Sequence, residues 1–317
     1  IDFWASWCKP CRKEMPNVIR AYNKFKSKGF EIYGVSLDKD RDAWLELAGD
    51  WKDPFPEPII KEHGGFNVVR EDLMGFGSKC RFGDILVQSC PSDTLVYVQP
   101  RYGFAGISLA YLAKKYNKKL VLFSPSQKEI SDHQAICIER GAEMKFHRIA
   151  AMPNLNKIAA DWARDNGAFF IPLGLRHELV TAAAVKVAYD LAQKHGEPKE
   201  VWSAISTGVL QRALQIAWPN ANFNAVAVAR NIKDGELGRA KVWSHPKEFS
   251  QNVSIEYTPP FPSALNYDAK AWEFMVKNGS PDAWFWNVGG DPKPEDTNIK
   301  QTIDAQRAWG EIRELDF

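Results

Sequence analysis

Short apolar runs alternate with longer amphipathic stretches along most of the chain. Compact apolar runs predict strands, and apolar residues spaced three and four apart predict helices. The rule gives five strands and four helices in strict alternation: strands 94–99, 120–124, 168–172, 201–205 and 225–229, with helices 107–115, 131–140, 177–195 and 208–216. Because strands separated by such helices form parallel β-α-β units, we predict an α/β fold with an open, mostly parallel sheet and flanking helices.

Charge is almost balanced, with 41 Lys and Arg against 39 Asp and Glu, for a net charge of +2. Without a basic patch or a Lys/Arg-rich run, we expect no nucleic-acid partner. No uninterrupted apolar stretch reaches the ~18 residues of a transmembrane helix, so we expect no membrane span in this chain. The six histidines show no metal-ligand spacing, and we expect no metal site.

A proline-rich segment divides the chain into two regions. Pro54, Pro56 and Pro58 fall within a few positions of one another. Proline lacks the backbone donor of a helix and restricts the residue before it, so the segment cannot be regular helix. We place the junction near Gly49 and predict one region over residues 1–49 and a second over residues 50–317.

The first region carries a Cys-x-x-Cys motif, Cys8-Lys9-Pro10-Cys11, between a predicted strand and a predicted helix over 13–25. A thiol at a helix N-terminus is stabilised as thiolate by the helix dipole. The motif and its flanks resemble the TlpA/ResA group of thioredoxin-like thiol-disulfide oxidoreductases. The resemblance implies that Cys8 attacks a disulfide of a partner protein and that Cys11 resolves the mixed disulfide.

The thioredoxin-like pattern in this region is incomplete. A predicted strand over 30–36 follows the helix, but the further strand pair, helix and cis-proline of a thioredoxin fold have no counterpart before the junction. We therefore predict a partial thioredoxin-like β-α-β piece. Whether it folds and works as a redox domain is left open.

The second region opens with a different motif, Arg70-Glu71-Asp72-Leu73 followed by Gly77-Ser78-Lys79-Cys80-Arg81. This string resembles the ACC deaminase and D-cysteine desulfhydrase branch of the tryptophan-synthase-β-like, fold-type-II enzymes, which depend on pyridoxal 5′-phosphate (PLP). The resemblance implies that Lys79 forms the Schiff base with the cofactor. Such a lysine must be partly desolvated so that its amine is neutral often enough to react.

A phosphate-binding loop is expected between the predicted strand 201–205 and the helix that follows. Ser206, Thr207 and Gly208 stand there, and a helix N-terminus after small residues offers backbone donors to a phosphate. The position agrees with the glycine-rich loop of the resembled family, but this loop has one glycine where three or four are usual. The same residues could instead serve as an ordinary helix N-cap.

The loop after strand 94–99 departs from the family at Phe104. Gly103 and Phe104 are expected to contact the cofactor, yet Phe104 stands where the family has an asparagine that hydrogen-bonds the ring hydroxyl. Tyr102 or Arg101 could substitute. Elsewhere, Arg176 and His177 could bind a carboxylate and move a proton, or could cap the next helix. Residues 262–268 are the best candidates for a partner to the pyridine nitrogen, by position alone.

Three functions follow from these motifs. The first is a PLP-dependent lyase or deaminase acting on an amino acid or amine by elimination, deamination or replacement. The second is a thiol-disulfide oxidoreductase that uses Cys8 and Cys11. The third is a non-catalytic binding protein on a degenerate PLP scaffold, which Phe104 and the glycine-poor loop would suit. We expect a cytoplasmic protein, although a thioredoxin-like segment would suit the periplasm; homodimer formation is left open.

Overall fold

The computed structural model describes residues 2–4, 9–25, 28, 30, 34–36, 40–148, 151–228, 237–295 and 298–308. Its strands are β1 Asp2–Trp4, β2 Gly34–Ser36, β3 Ile60–His63, β4 Phe66–Arg70, β5 Thr94–Val98, β6 Lys119–Pro125, β7 Glu143–His147, β8 Phe169–Ile171, β9 Glu200–Ile205, β10 Asn222–Ala227, β11 Lys241–Ser244 and β12 Trp284–Asn287. Its α-helices are α1 Lys9–Phe25, α2 Arg41–Ala48, α3 Ser78–Ser89, α4 Phe104–Lys115, α5 Asp132–Glu139, α6 Met152–Asp165, α7 Glu178–His195, α8 Val209–Ala217, α9 Asp268–Asn278 and α10 Ile299–Ala308.

The strands form two larger sheets and one small pair. One sheet has six strands in the order β11-β10-β9-β12-β4-β3, and the other has four in the order β7-β6-β5-β8. Their described pairings are parallel except for the β3–β4 hairpin. The predicted α/β fold with a mostly parallel sheet is therefore confirmed, with the strands divided between two sheets. The small pair joins β1 to β2 in parallel.

Both larger sheets face one hydrophobic core. Tyr97 of β5 and Trp286 of β12 belong to the same buried cluster as the central part of α7. The side chains of Ala182, Ala183 and Ala184 are fully buried there, and their small size lets neighbouring helices approach α7 closely. The core thus fixes the carboxyl ends of β5, β9 and β12 relative to one another.

Helix α2 packs against α7. Trp44 and Ala48 of α2 lie in the same buried cluster as α7, and the Arg41 guanidinium lies 4.9 Å from the centre of the Tyr189 ring. The last helix before the junction predicted near Gly49 therefore contributes to the core of the α/β region.

The predicted strands and helices between residues 94 and 229 are observed near their predicted positions, but β7 and α6, which lie between the predicted helix 131–140 and strand 168–172, were not predicted. The helix predicted over 131–140 begins with a capping box in which Ser131 accepts a hydrogen bond from the Gln134 amide and the Gln134 side chain accepts one from the Ser131 amide, a recognised N-terminal signal. The strand predicted over 30–36 is observed as β2; residues 31–33 lie outside the described part. In the described residues, no helix combines the length and hydrophobicity needed to cross a bilayer.

Candidate active site

A cavity of about 290 Å³ opens at the carboxyl ends of β5, β9 and β12. Ligands of open α/β folds bind at this edge, where the loops that follow parallel strands meet. Most of the lining comes from the start of α3, from the loops after β5, β8, β9 and β12, and from the segment before α9, and single residues of α5, α6, α7 and the segment after β11 complete it. The six site residues predicted in the second region all line it: Lys79, Gly103, Phe104, Ser206, Thr207 and Gly208.

Lys79 is the second residue of α3 and is held at the cavity by β12. The Ser78 amide donates a hydrogen bond to the Val288 carbonyl at 2.9 Å, and the Trp286 indole donates one to the Ser78 hydroxyl at 3.0 Å. Gly77 precedes the helix with φ of 77°, a conformation that favours glycine. The helix therefore begins with a fixed orientation, which places the half-buried Lys79 in the cavity wall.

Burial lowers the pKa of Lys79 to about 8, although the nearby Asp268 carboxylate acts in the opposite direction. An ordinary lysine, with a pKa of 10.5, is neutral at pH 7 in roughly one molecule in three thousand; a lysine with a pKa of about 8 is neutral in about one in ten. Lys79 consequently presents a nucleophilic amine at neutral pH far more often than a solvated lysine does.

Asp268 is fully buried at the first position of α9. The Val288 amide donates a hydrogen bond to its Oδ2 at 3.1 Å, while Oδ1 has no hydrogen-bond partner in the described part of the chain. Burial raises the pKa of Asp268 well above its usual range, against the opposing effects of the Gly289 and Val288 amides and of Lys79. Asp268 belongs to the segment 262–268 proposed from the sequence, and its neighbours Asn266 and Tyr267 line the cavity.

The turn between β9 and α8 forms the opposite part of the lining. Ser206, Thr207 and Gly208 lie there, and Gly208 caps α8 with φ of 75°. The neighbouring loop approaches so closely that a Cβ on Gly174 would lie 2.4 Å from Thr207 Oγ1. A glycine at 174 is thus required by space as well as by its φ of 77°, and the two loops form one tight wall at the N-terminus of α8.

The loop after β5 is organised by Gln99. Its side-chain oxygen accepts a hydrogen bond from the Gly106 amide at 2.9 Å, and its amide nitrogen donates one to the Gly103 carbonyl at 3.1 Å. The Phe104 ring then fills the space between two glycines, since a Cβ on either Gly77 or Gly289 would lie 3.1 Å from it. Phe104 is a packing residue beside the start of α3, and it brings no hydrogen-bonding group to the cavity.

Arg176 and His177 do not line this cavity. His177 caps α7 by accepting a hydrogen bond from the Leu179 amide at 3.2 Å, and neither it nor Arg176 contributes to the lining. Cys8 lies outside the described residues. Cys11 is part of α1, but its side chain is likewise outside the description.

Solved structures match this architecture across most of the chain. An ACC deaminase homologue has a TM-score of 0.67 at 17% identity, covering 80% of this chain and 95% of that chain. Maize serine racemase has a TM-score of 0.64 at 12% identity, covering 85% and 98%. The processed form of threonine deaminase isoform 2 from Solanum lycopersicum has a TM-score of 0.61 at 12% identity, covering 87% and 93%. This is the fold of the fold-type-II PLP enzymes. At identities this low, the matches establish the fold alone.

The N-terminal residues match a different group of proteins. A family model described as thioredoxin-like matches residues 1–61. The thiol-disulfide oxidoreductase ResA of Bacillus anthracis is 39% identical over 61 residues, which are 19% of this chain and 35% of the relative. ResA of Bacillus subtilis (strain 168) is 42% identical over 56 residues, 18% of this chain and 31% of the relative. The chain therefore spans about a third of the length of these curated relatives.

Some residues that line the cavity were not identified from the sequence. Among them are His133 and Phe249, which line it together with Tyr102, a residue considered only as a substitute for the asparagine. His133 is the second residue of α5, and Phe249 follows β11 by a few residues, so nothing local in the sequence links them.

In the described residues, no group of three or more His, Cys, Asp or Glu could hold a metal ion.

Proposed function

We propose that the α/β region is a PLP-dependent enzyme acting on an amino acid or amine, with Lys79 as the cofactor-binding lysine. The observation that carries the proposal is the position of Lys79: a lysine whose pKa burial lowers to about 8 stands in the wall of a cavity at the carboxyl edge of the sheets. Deamination, elimination and replacement remain alternatives within this class.

The cavity residues fit the cofactor in three respects. A volume of about 290 Å³ is at the lower end of the range for small-ligand sites, which suits a small cofactor. Ser206 and Thr207 at the start of α8 offer hydroxyl and backbone donors to a phosphate. Asn266 and Tyr267 of the segment 262–268 line the cavity, and we propose that this segment supplies the partner of the pyridine nitrogen.

When bound, PLP supplies a ring that withdraws electrons from the carbon next to the substrate nitrogen. The chain would supply the rest. Lys79 would hold the cofactor through Nζ, and its free amine would accept or donate a proton at Nζ. Ser206, Thr207 and Gly208 would hold the phosphate, while the Phe104 ring would pack beside the start of α3.

Visible absorption with added PLP, followed by borohydride reduction and peptide mapping, tests this proposal. The expected result is a reducible absorption band and a reduced pyridoxyl group on Lys79. Lys270 is an internal control, because burial also lowers its pKa to about 8 while it lies outside the cavity, donating to the Glu248 carbonyl at 2.6 Å. Labelling of Lys270 and of surface lysines in preference to Lys79 would overturn the assignment.

A matched pair of variants separates cofactor binding from folding. Lys79→Ala is expected to lose the band, whereas Lys186→Ala, which alters a partly exposed lysine paired with Asp190 on α7, is expected to retain it. If a folded Lys79→Ala protein kept the band, another lysine would be responsible. If the wild-type protein bound PLP but turned over no amino acid or amine, the binding-protein alternative would replace the enzyme.

A second candidate function concerns the N-terminal residues. We infer a thiol-disulfide exchange activity of Cys8 and Cys11 from the thioredoxin-like match over residues 1–61 and from helix α1, which begins at Lys9 directly after Cys8. An insulin-reduction assay with Cys8→Ser and Cys11→Ser tests it. Equal rates for the wild-type protein and both variants would remove this candidate without affecting the PLP proposal.

A further inference from the structure

Five aromatic rings line one side of the cavity in a continuous series. Proceeding along it, the centres of neighbouring rings are 5.6, 5.9, 6.1 and 6.2 Å apart. The members of this aromatic wall are Phe104, His133, Tyr102, Phe249 and Tyr267.

The aromatic wall is assembled from distant parts of the chain. Tyr102 comes from the loop after β5, Phe104 from the start of α4 and His133 from α5, while Phe249 and Tyr267 come from segments that follow β11. Neighbouring rings meet edge to face at angles between 73° and 86°, an arrangement that aromatic pairs favour. Since neighbouring side chains support one another, the wall presents a preformed apolar surface.

Outside the aromatic wall, the lining offers few groups that could form an ion pair with a charged substrate side chain. Among the described residues that line the cavity, only Lys79 has a side chain that ordinarily carries a charge at neutral pH. His133 is neutral at pH 7, because burial lowers its pKa to about 4. A substrate carboxylate or ammonium group placed against the wall would lose its hydration without gaining an ion pair, which is unfavourable.

We propose that the aromatic wall selects substrates: the side chain of the amine or amino acid that this site accepts is aromatic or large and apolar, and uncharged. The inference rests on the proposed function, since Lys79 and the cofactor would hold the amino group while the wall contacts the side chain. The five rings bear on the substrate side chain and not on the type of reaction.

Calorimetric titration of the protein without PLP measures this selectivity in the absence of turnover, and the shift of the visible absorption band on adding each amino acid measures it in the PLP-saturated form. The full chain is titrated in both forms with phenylalanine, alanine, aspartate and lysine. Burying a phenyl group contributes roughly tenfold or more to affinity, so phenylalanine is expected to bind at least about tenfold more tightly than alanine, with aspartate and lysine weaker still. Equal affinities for phenylalanine and alanine, or preference for a charged amino acid, would overturn the proposal.

Variants locate the preference within the wall. Phe249→Ala removes a half-buried ring from the series and is expected to reduce the ratio of phenylalanine to alanine affinity about threefold or more. Tyr257→Ala is the control, because Tyr257 is a half-buried aromatic residue outside the lining, and it should leave the ratio unchanged. An unchanged ratio in Phe249→Ala, or equal losses in both variants, would contradict the assignment.

The two forms of the protein separate this inference from the proposed function. If no PLP binds but phenylalanine still binds selectively to the protein as purified, the PLP assignment fails and the wall assignment survives. If PLP binds to Lys79 and abolishes selective phenylalanine binding, the wall serves the cofactor ring and the substrate inference is wrong, while the PLP assignment survives.

Discussion

The ring of Phe104 lies directly against Gly77, two residues before Lys79, so that a Cβ on Gly77 would come within 3.1 Å of it. A residue that departs from the asparagine of the resembled family is therefore part of the packing that positions the start of α3. The contact links Phe104 to the segment that carries Lys79. A single methyl group added at Gly77 would therefore disturb the position of Lys79.

Gly77→Ala is expected to destabilise the protein more than Gly75→Ala does. Both glycines have positive φ, but Gly75 is left-handed helical with ψ of −3°, whereas Gly77 has ψ of 160°, a region that essentially only glycine adopts. Backbone strain therefore costs about 1 to 2 kcal/mol for alanine at Gly75 and more at Gly77. A Cβ at Gly75 has nothing within 4 Å, whereas one at Gly77 meets Phe104; the overpacking adds about 1 to 3 kcal/mol. Denaturant unfolding of both variants measures the difference, and equal losses would show that the Phe104 ring moves aside freely.

Lys79→Met is expected to stabilise the folded protein at pH 7. Because the folded-state pKa of about 8 lies below the ordinary 10.5, the unfolded chain binds the Lys79 proton more tightly, and charged Lys79 costs up to about 3 kcal/mol of stability below pH 8. This cost is lost as the pH rises from 8 to 10.5. Denaturant unfolding at pH 7 and pH 10 should show a gain at pH 7 that shrinks below about 1 kcal/mol at pH 10.

The control for that experiment is Lys186→Met, which alters a partly exposed lysine on α7. The change in its stability difference from the wild-type protein between pH 7 and pH 10 is the reference for Lys79→Met. If the change for Lys79→Met were no larger than this reference, the lowered pKa of Lys79 would be contradicted.

Gly174→Ala is expected to weaken PLP binding. The new Cβ would overlap Thr207, with Oγ1 at 2.4 Å, and would push the proposed phosphate loop away from the N-terminus of α8. Gly167→Ala is the matched control, since Gly167 also has a positive φ of 64° but nothing within 4 Å of its Cβ. We expect at least a tenfold loss of PLP affinity in the first variant alone, measured by absorbance titration; similar affinities in both would separate Thr207 from phosphate binding.

Arg81→Met is expected to destabilise the protein by about 3 to 5 kcal/mol, because it leaves a buried carboxylate without its partner. The Arg81 side chain is 1% exposed and donates to both oxygens of Glu71 at 3.1 and 3.2 Å. It also pairs with Asp53 and donates to the Pro56 carbonyl at 2.8 Å. Adding Glu71→Gln should recover part of the loss in chemical unfolding, and strict additivity would contradict direct coupling.

Compact apolar runs and apolar spacing predicted the strands β5, β6, β8, β9 and β10 and the helices between them, except for β7 and α6. Helix α6 was missed although it buries Leu155, Ala159 and Ala163 along one face. Helix α3, which carries Lys79, was not predicted. Its residues from Cys80 to Val87 are all buried, including Arg81 and Asp84. A helix that is buried on every side shows no amphipathic period, and the buried charges in it interrupt any apolar run.

The residues of the proposed site were predictable to the extent that they belong to local motifs. Lys79 and the turn Ser206–Gly208 were found from neighbouring sequence; their roles stay predictions. Asp268 was included only by position, because its buried environment depends on the Val288 amide, which is 20 residues away along the chain. His133 and Phe249 could not be found, since contacts between distant loops bring them to the cavity.

The packing of α2 on α7 sets a limit on how the chain can be divided. A shortened protein that starts at residue 50 would lack Trp44 and Ala48 and would present a fresh apolar surface on α7 to water. We expect such a fragment to aggregate, whereas one that starts at Asp40, the N-cap of α2, keeps that surface covered. A shortened protein that lacks the Cys-x-x-Cys motif must therefore begin before α2 to keep the core of the α/β region covered, although the thioredoxin-like match continues to residue 61.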